Sequence, residues 1–76
     1  MENNNMKIDA KRFLKSELTK RDITYVQLAK LMQEKGYNEN ADTIRTKIYR
    51  GSFSFAFVLA VCESINIDIL FKDKTY

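Results

Sequence analysis

Arg45, Lys47 and Arg50 lie in the stretch from Thr43 to Ser54, which contains no acidic residue. Thr43, Thr46 and Tyr49 are interleaved with them. Cations and hydroxyls in this mixture suit a polyanion with hydrogen-bonding edges: Arg and Lys donate to guanine or to phosphate, and Thr bonds either. Ile44 and Ile48 are four residues apart, and Ala41 extends their stripe, so one face of a helix near Ala41 to Arg50 is apolar. That spacing anchors the helix to a core. It leaves Thr43, Arg45, Thr46 and Lys47 outward, with Tyr49 and Arg50 at the flank. Double-stranded DNA is the partner this chemistry points to. Asp42 is the one acid at the start of this helix; it would repel phosphate, but it can accept from a cytosine amino group or favour the helix N-terminus.

The rest of the composition removes other classes. The chain has 76 residues, enough for one domain and too few for a deep catalytic pocket. Thirteen basic residues against 10 acidic ones give a net charge of +3, which alone says little about partners. Histidine is absent, so His-based acid–base chemistry, Ser–His–Asp triads and Cys–His metal sites are excluded, and no cofactor, metal or enzymatic activity is expected. Cys62, the single cysteine, sits in an apolar run and reads as a core residue in a reducing, cytoplasmic setting. No apolar stretch reaches the roughly 18 residues that would span a membrane, so no membrane partner is expected.

Four helices are predicted to position the basic face. The first runs from about Lys7 to Lys20, with Ala10, Phe13, Leu14 and Leu18 at helical spacing; Lys11, Arg12 and Lys15 around it read as a solvated face rather than a phosphate-binding stripe. The second starts at Thr24, a good N-cap with Gln27 three residues on, flanked by Ile23 and Leu28 as a hydrophobic staple. Its inner face is Leu28, Leu31 and Met32, and Gly36 stops it, with Tyr37 placed to fold back onto Met32. The third is capped by Asn38 or Asn40 and stopped by Gly51; the fourth follows Ser52 or Ser54 and carries Phe55 to Cys62, apolar almost all round, as a central helix.

Residues 1–6 are expected to form a loose tail and 7–66 the folded domain. In the final segment, 67–76 with its approach from Ile65, Ile67, Ile69 and Phe71 alternate with Asn66, Asp68 and Leu70. Period two with β-branched residues predicts a short C-terminal strand, which must pair with something, such as a second subunit through Ile65 to Phe71. An irregular tail or a helical turn on the core fits the same residues.

Ile23-Thr24-Tyr25-Val26-Gln27-Leu28-Ala29 resembles the opening of the second helix in the Cro and lambda-repressor-like superfamily, and Ile48-Tyr49-Arg50-Gly51 is similar to the end of its recognition helix. A closer resemblance is to a small bacterial family labelled a domain of unknown function, carried by Thr24, Tyr25, Leu28 and Ala29, then Ile44, Arg45, Lys47, Ile48, Arg50, Gly51, Phe53, Ser54 and Phe57. The match covers about Phe13 to Ile67. It implies an all-α, compact four-helix, lambda-repressor-like helix-turn-helix domain, and a transcriptional regulator, often a repressor of prophage type, binding as a homodimer. By that resemblance Tyr25 touches the DNA backbone, Thr43, Thr46 and Lys47 face bases, and Arg50 faces phosphate. Two departures would rotate or shift the recognition helix: the connection from Gly36 to about Asn40 is longer than the usual turn of about 3–4 residues, and the core isoleucines are four apart where three is common. The alternative is a non-enzymatic protein-interaction or inhibitor module on the same fold, suggested by the apolar tail and the weak net charge.

Overall fold

The computed structural model describes residues 5–75. Four α-helices follow one another: α1 (Asn5–Lys20), α2 (Tyr25–Glu34), α3 (Ala41–Arg50) and α4 (Phe55–Ser64). Each of the last three begins at a side chain that accepts from the backbone N–H three residues on: Thr24 from Gln27, Asn40 from Thr43 and Ser54 from Phe57. At Thr24 the capping box is complete, because its own N–H donates to Gln27 Oε1 at 2.8 Å. These caps satisfy donors that a helix start would otherwise leave open.

Three helix ends share one device. After α2, Tyr37 N–H donates to Met32 O and Gly36 N–H to Gln33 O, both at 3.0 Å, with Gly36 at φ 92. The same pair of bonds closes α1 through Asp22 (φ 57) and α4 through Asn66 (φ 65). This is the Schellman geometry, and Asp and Asn are the non-glycine residues that best tolerate its left-handed position. The folded-back residues, Ile23, Tyr37 and Ile67, all pack against the core. The Glu63 carboxylate accepts the Tyr37 hydroxyl and pushes that phenol up from its ordinary range, so the Tyr37 hydroxyl keeps its proton to higher pH.

The core joins Leu14 and Leu18 of α1, Leu28, Ala29 and Met32 of α2, Ile44 and Ile48 of α3, and Phe57, Ala60 and Val61 of α4, closed by Ile65. The third helix packs on both α1 and α2, and α2 packs also on α4. Cys62 is buried, and desolvation pushes its thiol up, away from nucleophilic character. The buried Ser64 hydroxyl is satisfied by donating to Ala60 O at 2.8 Å.

Several expectations change. The first helix starts at Asn5, so residues 5 and 6 are helical; the rest of the expected loose tail, residues 1–4, lies outside the described residues. Phe13 is 41% exposed and contributes less to the inner stripe than its spacing suggests. The fourth helix supplies five buried residues, Phe57, Ala60, Val61, Cys62 and Ser64, but its apolar run is not covered all round, since Phe55 and Leu59 remain open on one side. No strand forms among the described residues. The alternating pattern fails as a strand because its first residues have another use: Ile65, Asn66 and Ile67 build the cap of α4, turning Ile65 and Ile67 into the chain's own core. Beyond them the chain is irregular, with Leu70 and Phe71 exposed.

Candidate nucleic-acid interface

The basic segment is a helix, and its two sides differ as Ile44 and Ile48 require. Both isoleucines are fully buried, whereas Asp42, Thr43, Arg45, Thr46, Tyr49 and Arg50 are exposed. Thr46 lies opposite the isoleucines, flanked by Asp42 and Arg50, with Tyr49 and Thr43 further round and Arg45 and Lys47 on the two shoulders.

The Arg45 guanidinium pairs with Asp42 at 2.7 Å and lies 5.7 Å from the Tyr25 ring centroid. Both partners of the ion pair are well exposed, so the pair adds little stability and Arg45 can leave Asp42 at small cost. Tyr25, half-buried at the start of α2, therefore borders the outward face of α3. At the far end Lys11 of α1 stands over the Tyr49 ring at 4.5 Å. Thr43 has a local duty: its N–H and hydroxyl both donate to Asn40 Oδ1, at 2.9 and 3.1 Å. It serves the helix start while staying accessible.

Lys47 is placed apart from this set. Its ammonium donates to Glu39 Oε2 at 2.7 Å and lies 4.9 Å from the centroid of the Phe57 ring. Only 38% of its side chain is exposed, and Glu39 is more covered still. The expected base-reading lysine thus faces the connection between α2 and α3 and the start of α4. Glu39 is central to that connection, because its carbonyl accepts from Gln33 Nε2 at 2.7 Å and its N–H donates to Tyr37 O at 3.2 Å. The long turn is held from both sides, by α2 through Gln33 and by α3 through Lys47. Sequence reasoning missed Glu39 because its partner lies eight residues away across a helix start, outside any local spacing rule.

The end of α3 is set by Gly51. It adopts φ 66, and its N–H donates to Ile48 O and Lys47 O at 3.1 and 3.2 Å. A Cβ there would sit 2.6 Å from the backbone oxygen of Lys7, so α1 and the end of α3 approach through the glycine. Gly36, by contrast, faces open space.

A small all-helical protein with a polar, partly cationic face on α3 is the class these features define. The chain belongs to the family described as Domain of unknown function (DUF6471), which matches residues 7–70. No curated protein and no solved structure matches it. Among the described residues no helix is long and apolar enough to cross a membrane.

Proposed function

We propose that this protein is a sequence-specific DNA-binding regulator, in which α2 and α3 act as a helix-turn-helix of the lambda-repressor-like kind and α3 enters the major groove. The observation that carries the reading is the outward face of α3. Arg45, Thr46, Tyr49 and Arg50 stand exposed together while Ile44 and Ile48 hold the helix from behind. Arg45 and Thr46 are the base-reading candidates, Arg50 and Tyr25 the backbone contacts, and Thr43 reaches the groove from the helix start. Lys47 acts as a positioning residue that fixes the turn against α3.

Selection from a pool of randomised duplexes tests this directly. The expected result is enrichment of one sequence class, and loss of about 1–3 kcal/mol on that sequence in Arg45→Ala, with a smaller loss on unrelated duplexes. A pool that stays random after repeated selection at low salt would overturn the reading.

Two copies binding a palindromic site need a self-contact. Ile65 and Ile67 are committed to the chain's own core, which leaves Leu70 and Phe71, 89% and 83% exposed, as the apolar residues of the tail able to meet a second subunit. Sedimentation equilibrium is expected to show a dimer that Leu70→Ser with Phe71→Ser converts to monomer; a wild-type monomer at all concentrations contradicts the dimer. The same exposed residues favour the second reading, a protein-interaction module. That reading is chosen if a single stoichiometric protein partner is recovered and no duplex binds.

A further inference from the structure

We infer that one ridge of α1, made by Lys7, Lys11 and Lys15, is a second DNA contact that grips the phosphate backbone beside the groove occupied by α3; the inference rests on the DNA-binding reading above. The three lysines recur every four residues and so lie along one line of the helix. That line touches the proposed interface at each step. Lys7 meets the end of α3, where its backbone oxygen faces Gly51. Lys11 stands over the outward Tyr49 ring. Lys15 shares a shallow hollow of about 220 Å³ with Thr19, Thr24 and Tyr25, and Tyr25 in turn borders Arg45.

An adjoining hollow on α1, between Ile8 and Thr19, is lined by Lys11, Arg12, Lys15 and Ser16 and by no acid. Of the two acids of α1, Glu17 is engaged by Lys20 at 3.1 Å and Arg21 at 2.6 Å on another side. Positive charge on the ridge therefore runs up to Arg45 and Arg50; on α3 Asp42 offsets Arg45, and on α1 the exposed Asp9 lies on the side of the helix away from the ridge. A protein surface that is basic in a line and beside a groove-reading helix fits a duplex backbone, whose charges also run in a line.

The test is salt-dependent binding of the full chain to its selected duplex and to an unrelated duplex. Lys11→Gln with Lys15→Gln should lower the slope of log K against log salt by about 0.9 for each lysine. It should weaken both duplexes by the same factor, leaving their ratio unchanged. Lys35→Gln, on the hollow formed with Leu59 and Glu63 at the other end of α2, is the control for a bare loss of charge and should leave the slope alone. Equal slopes for wild type and the double variant would overturn the inference while leaving the α3 reading intact. Absence of duplex binding by the wild type would overturn both. A circular-dichroism melt of the double variant that matches wild type confirms that the substituted residues are not needed for folding.

Discussion

Gly51→Ala is expected to lower stability by roughly 2–5 kcal/mol, combining about 1–2 for a left-handed residue with a Cβ and about 1–3 for overpacking. The overpacking arises because the new methyl would lie 2.6 Å from the Lys7 carbonyl oxygen, which is backbone and cannot swing aside. Either α1 or the end of α3 must move. For a domain of 76 residues the whole stability is on the order of 4–11 kcal/mol, so this one methyl removes a large share of it. Gly36→Ala isolates the backbone part, since it carries a positive φ of 92 with nothing within 4 Å of the added Cβ. It should cost only about 1–2 kcal/mol. Urea denaturation measures both. Equal losses at the two glycines would mean that the close approach of α1 to Gly51 does not exist.

Lys47→Met is expected to cost about 2–3 kcal/mol of stability without changing which DNA sequence is preferred. Methionine keeps most of the apolar stem but removes the ammonium that lies over Phe57 and donates to Glu39 Oε2, and the other carboxylate oxygen, Oε1, is already buried without a hydrogen-bond partner. A covered carboxylate with neither oxygen paired is strongly unfavourable. Adding Glu39→Gln should recover part of the loss, because an amide is cheaper to cover than a charge, and the recovery measures the coupling between the two positions. The opposite pattern, unchanged stability with lost discrimination at one base pair, would return Lys47 to the base-reading set.

The local features of the fold were legible in the residues. Thr24 with Gln27, Asn40, Ser54, Gly36 and Gly51 place helix ends because caps and left-handed stops act over three or four residues. Asp22 and Asn66 perform the same stop without being glycine, so the ends of α1 and α4 carried a weaker signal. The tail misled because period two in Ile65, Ile67 and Ile69 describes an alternation that a helix cap can also use. The candidate site was legible in outline only. Ile44 and Ile48 fix which side of α3 is hidden, but Lys47 lies between the hidden and open sides, and its direction depends on Glu39 and Phe57. Much of the residue pattern that carries the resemblance is accounted for by scaffold roles: Gly51 at the backbone approach, Ser54 as a cap, Lys47 over Phe57 and Phe53 against Phe57 at 5.7 Å. Arg45 and Arg50 are the charged members of that pattern left on the surface.

The central claim is that DNA meets the outward face of α3. Its most direct measurement is a titration of the isotope-labelled protein with the selected duplex, following each backbone amide by NMR. The account predicts that the largest shifts fall on Thr43, Arg45, Thr46, Tyr49 and Arg50 and on the start of α2 at Tyr25, with α4 little changed apart from any dimer contact. Shifts confined to α4 and the Leu70–Phe71 region, or no shifts with any duplex at low salt, would contradict it.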